Sequence, residues 1–585
     1  MSLVAGFVDS LSWDNYENSC ILAAVAGITT HVGFFIRGEH HRYGHKIVKA
    51  YIYLFFILGA AILHFTHYAV AKTIINTLLI SASYFAGLYG SISAYRALFH
   101  PLRAFPGPFL CRLSNIYHSS LLKKSDNHLV MHKMHEKYGP FCRTGKYNFA
   151  ASNFRFCPIK QNAGPGNLSV NVPEAVQAFL GSDSKCSKTP WYEQSLPLVN
   201  LHTMRDKKVH EKRRKVFSKA FSPASLRIYE PRVSEHTEIF IQQLAKMDGK
   251  PFDATRWCKF WAFDIMGELS FGESFKMLTE ETNRWVPDLL EAGMANVGKF
   301  TPIPWATPIV HRIPFLFKGP KTFLEFVGSK VADRAKKPSE KPDVSSPSPK
   351  NANVLQYLLE DYEKTEKKDK DYQLLRGDTR LTIVGGSDTT AATLTYVLYH
   401  LARDPTQVAK LRAELEPLLA GGKKTLDPKD VSSAKHLDAV LHEVMRMHPV
   451  IPSGYPRLTP PEGMTVNGTY IPGGTTVVIP LWALGRSEDA YVRANEFIPE
   501  RWYSQPELIK NRHCFATFSL GPYSCIGRPL ALMELRAAVC QVLMAFDTIK
   551  FAPGEDGTPL LTESKDHFTM GLAPLKLILD NSHKV

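Results

Sequence analysis

The chain has 585 residues, 44% hydrophobic and 21% charged, an ordinary globular balance with room for a sizeable core. Nine cysteines stand without a CxxC pair or regular spacing, which excludes a disulfide scaffold and a cysteine-rich zinc module and fits a reducing, cytosol-facing setting. The net charge of +15 suits an anionic membrane or an acidic protein partner, and no nucleic-acid motif accompanies it, so nucleic acid is not an expected partner.

Three apolar stretches open the chain: Cys20–Ile36, Ala50–Ala71 and Thr73–Ala94. None holds Asp, Glu, Lys or Arg, and a bilayer span needs about 20 apolar residues. The first is the shortest and carries His31. Asp9, Asp14 and Glu17 stand where a cleaved signal peptide has a basic leader. Arg37, Arg42, Lys46 and Lys49 crowd the first connection, only Lys72 lies in the second, and Arg96 and Arg103 follow the last stretch. The positive-inside rule then places the N-terminus in the lumen and everything after Ala94 in the cytosol. Residues 1–99 are therefore expected to anchor the chain with two to three transmembrane helices. Over residues 100–110, within "HPLRAFPGPFL", Pro101, Pro106 and Pro108 predict a stiffly extended hinge. Residues 111–585 form the globular part.

That part reads as mainly helical. The basic run "KKVHEKRRK" (Lys207–Lys215) reads as a solvated helix face, or as a steering surface for an acidic partner. The polar, proline-rich "KKPSEKPDVSSPSPK" (Lys336–Lys350) predicts an exposed loop between helices. "VGGSDTTAAT" (Val384–Thr393) lies in an apolar helical run, where two glycines weaken the helix by roughly 1 kcal/mol each. With Asp388 and Thr389 beside them, they suggest a ligand lying against opened backbone; Asp388 as a helix N-cap is the plainer alternative. "DPTQVAKLRAELEPLLAGG" (Asp404–Gly422) has helical apolar spacing and a glycine stop. In "LHEVMRMHP", Glu443 and Arg446 share one helix face. "GMTVNGTYIPGGTTVVIPLW" (Gly463–Trp482) alternates like strands joined by Asn-Gly and Gly-Gly turns. In "FIPERW", Arg501 is placed to complete a Glu–Arg–Arg network. In "FSLGPYSCIG" (Phe518–Gly527), Cys525 stands between glycines with no second cysteine at metal-ligand spacing: a buried structural thiol, or one ligand of a metal held otherwise from elsewhere.

Together, in this order, the four stretches around Asp388, Glu443, Arg501 and Cys525 resemble the cytochrome P-450 family, over nearly all of Phe105 to Pro574. Gly385–Thr390 matches its oxygen-activating helix, Glu443–Arg446 its ExxR helix and Phe497–Trp502 its PERF-like segment. Its haem-binding loop, FxxGxRxCxG, is matched by Phe518, Gly521, Cys525 and Gly527. The resemblance implies an α+β fold, mainly α with small β-sheets, in which Cys525 is the axial thiolate of the iron of haem b. A thiolate pushes electron density onto iron, and the porphyrin supplies the other four ligands, so no second cysteine is needed. The glycines would let the backbone turn and approach the sulfur.

One residue departs from the family, which usually has Arg or His two residues before the cysteine, to bind a haem propionate. Tyr523 stands there. The resemblance then leans on Arg214, at the family's WxxxR position with His210 replacing the tryptophan, and on Arg457 in "GYPRLTP".

The resemblance further implies a monooxygenase that takes electrons from NADPH-cytochrome P450 reductase, docked near the basic run, with Asp388 and Thr389 relaying protons. Glu443, Arg446 and Arg501 would form a buried structural network. The family's substrate-contacting regions fall on Trp191–Thr203, Val450–Tyr455 and Phe568–Leu572, all largely apolar, implying a hydrophobic substrate. The anchor and motif style resemble fungal microsomal enzymes of specialised metabolism, in the endoplasmic reticulum membrane with the catalytic domain cytosolic. Two alternatives stand beside this: a reductase-independent member that rearranges peroxides, and a non-catalytic haem carrier.

One stretch does not fit. The family commonly runs from a strand like Arg143–Gly145 into one like Asn167–Val170 through a turn such as "GPGN". Here Lys146–Gly164 intervenes, with no strand or helix period. It is either a surface loop or a translated intron. Gly-Lys-Tyr is encodable with a splice donor and Asn-Ala-Gly with a CAG acceptor, and excision restores "RTGPGNLSV" in frame.

Overall fold

A computed structural model describes residues 16–36, 40, 43–66, 69–122, 124–146, 166–195, 198–300, 314–335, 352–366, 368–419, 431 and 433–580. Arg37 and Arg42 of the first connection, the loop at 336–350, the glycine stop at 421–422 and nearly all of the 146–164 segment lie outside these residues.

Three helices lead the chain: α1 (Tyr16–Thr30), continued by a π turn over His31–Phe35, α2 (Gly44–Thr66) and α3 (Val70–Ala94). Tyr16–Phe35 and Gly44–Phe65 are long and apolar enough to cross a membrane. The expected boundary between the second and third stretches moves: Lys72 lies in the first turn of α3, not in a connection. A lysine stem is long enough to carry its charge to an interface from there. Helix α3 keeps Thr73, Asn76 and Thr77 buried on its inner side.

Small residues bring α1 and α3 together. A Cβ on Gly27 would lie 2.2 Å from the Tyr84 carbonyl oxygen, and one on Gly87 would lie 2.0 Å from that of Ala24. His31 of the first stretch meets Ser91 across this contact, Nδ1 to Oγ 2.8 Å. Interhelical hydrogen bonds and close backbone approach are how helices associate where lipid removes the hydrophobic drive. Large apolar side chains such as Ile21, Leu22, Phe56, Ile57 and Leu78 face outward.

The hinge is not extended throughout. Pro101–Ala104 forms a 3-10 turn, with His100 Nδ1 accepting from Leu102 N–H at 3.0 Å, and Phe109–Leu113 is helical. Proline at a first helical position has its φ preset and no amide to satisfy, so Pro101 starts the turn.

The main core gathers around two long helices, α5 (Ala254–Phe271) and α6 (Asp369–Arg403), with α4 (Lys207–Ala220), α7 (Lys435–Met447) and α8 (Arg528–Ala545) beside them. Helix α6 runs 35 residues, roughly 50 Å at 1.5 Å per residue, and stops where Pro405 follows Asp404. It lies close on α5 because Gly386 has no side chain: a Cβ there would sit 2.5 Å from Met266 Sδ.

A five-stranded sheet orders Phe141–Lys146, Gly166–Val170, Thr476–Val478, Arg457–Leu458 and Ser187–Lys188. The second and third strands are parallel and the other pairs antiparallel. The Asn-Gly turn joins Met464–Val466 to Thr469–Ile471, with Asn467 at φ 44° and Gly468 at φ 70°, both on the positive side that a tight primed hairpin turn requires. On either side of the unusual segment, Arg143 pairs with Leu168, Gly145 with Asn167 and Lys146 with Gly166. The two expected strands are neighbours.

Candidate active site

Cys525 sits in a loop closed by its own backbone: its N–H donates to the Phe518 carbonyl at 2.7 Å around a 3-10 turn over Gly521–Tyr523. Gly521 must be glycine. Its φ is +59°, and a Cβ would lie 2.6 Å from the Gly181 carbonyl oxygen. Gly527 is different: its φ is −82°, and a Cβ would make ordinary contacts with Cys525 Sγ and Phe221, each at 3.9 Å. The expectation that both glycines turn the backbone therefore holds for the first only. Gly527 instead caps α8. Burial pushes the Cys525 thiol up, while the amides of Gly527 and Arg528 and the charge of Arg214 pull it back. A helix N-terminus aimed at sulfur favours thiolate.

Cys525 alone is exposed among the described cysteines, and it lines a cavity of about 1260 Å³. Among the cations of that wall, Lys188, Arg214 and Arg457 lie near one another. Arg214 holds the cysteine loop itself, Nη1 to the Ser524 carbonyl 2.7 Å and Nη2 to Ser524 Oγ 3.1 Å. Arg457 donates to Tyr192 Oη at 2.6 Å and leaves its Nε without a partner among the described residues. Lys188 was not anticipated. Burial, with Arg457 and Arg214 nearby, pushes its ammonium down to about 6. None of the three pairs with a carboxylate among the described residues. His210 packs edge-on to Tyr523 at 4.8 Å, and burial with these same cations pushes it down to about 3, so it is a neutral ring. Tyr523 Oη is buried without a partner among the described residues.

Buried and half-buried cations without a carboxylate partner among the described residues, an orphaned phenol, apolar walls and a thiol in one cavity fit a flat apolar macrocycle that carries two carboxylates and an iron.

Glu443, Arg446 and Arg501 do meet, all within 3% exposure. Arg446 grips Glu443 with Nε to Oε2 and Nη2 to Oε1, both 2.8 Å, and Arg501 Nε reaches Oε1 at 2.9 Å. The carboxylate also accepts from Ile498 N–H at 2.9 Å and Trp502 Nε1 at 3.0 Å. The remaining guanidinium donors reach carbonyls, including Ala494 at 2.6 Å from Arg446 and Val492 at 2.9 Å from Arg501.

Asp388 and Thr389 part company. Helix α6 is unbroken through Gly385–Thr390, so the expected opened backbone is absent. Thr389 lines the cavity, and its hydroxyl donates to the Gly385 carbonyl at 2.7 Å. Asp388 is not in the cavity wall. Burial pushes its carboxyl up, and Lys259 and the Thr569 hydroxyl pull it down. Lys259 in turn holds Glu291 at 2.7 Å.

A sequence profile of the cytochrome P-450 family matches residues 166–579. The chain belongs to that family. Over 96% of its length it is 36% identical to the cytochrome P-450 monooxygenase notG' of Aspergillus versicolor, covering 97% of that protein. It is 35% identical to the tryprostatin B 6-hydroxylase of Aspergillus fumigatus, with 96% of each chain covered. The protein is thus a P-450 monooxygenase with the family's haem-iron cofactor. The family match begins at Gly166, straight after the unusual segment.

Besides Lys188, the P-450 cavity holds two residues that no motif pointed to, Glu534 and His45, and the expected substrate-contacting residue Phe568 has an unexpected backbone. Glu534 of α8 lines the cavity, and burial pushes its carboxyl up to about 8 against a pull from the Thr390 hydroxyl. The only signal was one acid in the apolar run "RPLALMELRAAV". Phe568 holds φ 86°, rare for a bulky residue, with its N–H on Asp566 Oδ1 at 3.1 Å and its ring 4.6 Å from that of Trp191. His45, at the start of α2, also reaches the wall.

Proposed function

We propose that this P-450 is a membrane-anchored haem b monooxygenase that hydroxylates a hydrophobic small molecule of specialised metabolism with electrons from NADPH-cytochrome P450 reductase. The observation that carries this is the position of Cys525, exposed to the cavity with helix amides at its sulfur. Haem, when bound, supplies oxygen activation and insertion into a C–H bond.

The protein's own residues do the rest. Cys525 would hold the iron, and Arg214, Arg457 and Tyr523 would hold the propionates, with His210 as neutral packing. Phe518, Gly521 and Gly527 shape the loop. Glu443, Arg446 and Arg501 fix the region beneath it. Thr389 Oγ, tethered to the Gly385 carbonyl, keeps its lone pairs for a proton donor on the cavity side. Asp388, on the side of Lys259 and Glu291, is the proton source behind it. Val450, Ile451, Leu289, Leu290, Met294 and Phe568 form an apolar wall that orients substrate and excludes water.

Residues 1–99 serve as the anchor, 100–110 as the hinge and 111–585 as the catalytic domain, on the cytosolic face of the endoplasmic reticulum. His45 in the cavity wall supports delivery of substrate from the membrane side. Lys207, Lys208, Lys212 and Lys215 on α4 offer the reductase a basic face.

The ferrous–CO spectrum tests the ligand: the full chain should give the red-shifted Soret band of a thiolate, and Cys525→Ser should lose it. A Cys525→Ser protein that kept this band would overturn the assignment. Tryprostatin B is the first substrate to try. Reductase-dependent NADPH consumption with product formation separates the monooxygenase from a peroxide-rearranging enzyme or a haem carrier.

A further inference from the structure

The loop around Cys525 lacks the cation that its family usually carries at the position of Tyr523, yet the cavity contains a cation that no motif announced. Lys188 ends the short strand Ser187–Lys188 and is 3% exposed. Its Nζ donates to the carbonyls of Leu201 at 3.1 Å and His202 at 2.7 Å. An ammonium has three donors, so one remains for a group in the cavity that Lys188 lines. The charges nearest to it, Arg457 and Arg214, have its own sign. A buried ammonium so placed is costly unless an anion joins it.

The ring of Tyr523 lies within cation–π reach of two of these cations, 4.7 Å from Lys188 Nζ and 5.0 Å from the Arg457 guanidinium. A tyrosine face attracts both, where an arginine would repel both at that range. The charge missing from the loop and the extra charge on the strand are therefore two sides of one arrangement.

We propose that Lys188 is a haem-propionate cation, supplying from the strand the charge absent at Tyr523, with the Tyr523 ring as the face that seats its ammonium. This rests on the haem-thiolate reading above.

The test uses the haem-loaded full chain in detergent and follows haem transfer to apomyoglobin, together with the ferric–ferrous midpoint potential. Lys188→Met should release haem on the order of tenfold faster, the worth of one charge-assisted hydrogen bond, and shift the potential. Lys188→Arg should stay close to the parent. Lys188→Met with Tyr523→Arg should recover slow release, because the charge returns to the loop. Release from Lys188→Met at the parent rate would overturn the proposal, as would a double variant no slower than the single. If Lys188→Met does not fold, Tyr523→Leu and Tyr523→Phe replace it: Leu, which loses both ring and hydroxyl, should speed release more than Phe, which loses the hydroxyl alone, and equal rates overturn the seat. A parent chain without the thiolate Soret band sinks the haem-thiolate reading instead, so the two failures are distinct.

Discussion

Two groups of cations near the cysteine loop are built on opposite plans. Arg446 and Arg501 share the Glu443 carboxylate, and their other donors end on main-chain carbonyls. Among the described residues, Lys188, Arg214 and Arg457 meet only carbonyls, hydroxyls and aromatic faces. The first group is closed by the polypeptide alone. The second lines a cavity, where burial and then the neighbouring positive charges lower Lys188. A ligand that brings the anion completes such a group, whereas the first is complete without one.

Breaking the closed group should have the largest effect. Glu443→Ala strands two buried guanidiniums, and loss of one partner in a buried ion network costs about 3–5 kcal/mol. Chemical unfolding should show that loss, with little haem-loaded protein recovered. Arg457→Met is its counterpart. It removes a cation that has no anion before haem binds, so the haem-free chain should unfold within about 1 kcal/mol of the parent while haem binding weakens. If both variants lose the same stability, the two groups do not differ in kind.

A smaller effect is expected at Thr389, which belongs to neither group. Thr389→Ala should keep fold, haem and ligand-induced spectral shift, and divert electrons to hydrogen peroxide in place of product. Peroxide released per NADPH measures it; an unchanged ratio removes Thr389 from proton delivery.

The smallest effect is expected from deleting residues 146–164. Gly145 and Asn167 already face each other across the strand pair, so the deletion leaves Pro165 and Gly166 as a two-residue connection. Proline followed by glycine suits the centre of a type II turn, and loop length costs little closure entropy. Haem content and melting temperature should stay near those of the parent. A deletion variant that fails to load haem would show that the segment is part of the fold. Sequencing the mature transcript then says whether the cell makes it.

Much of the site was legible because its residues lie close in sequence. Glu443 and Arg446 are one helical turn apart, and the cysteine loop is a single decapeptide. The Asn-Gly hairpin could likewise be read from its turn chemistry. Lys188 and Glu534 were not legible: each is an ordinary residue in its own stretch and acquires meaning only from what α4, α6 and the five-stranded sheet bring near it. The hinge was misread in part because proline both ends extended backbone and starts a helical turn, and only the capping by His100 decides between them.

The sequence by itself determined the family, the cysteine, the partners in the ion network and the apolar N-terminal helices, since local spacing and hydropathy are written along the chain. Only the tertiary structure decided which cations are left without an anion, that Thr389 and not Asp388 faces the cavity, and that Phe568 is held at φ 86° beside Trp191. The reason is physical: charge compensation, burial and backbone strain are sums over neighbours drawn from distant parts of the chain, and those neighbours exist only once it has folded.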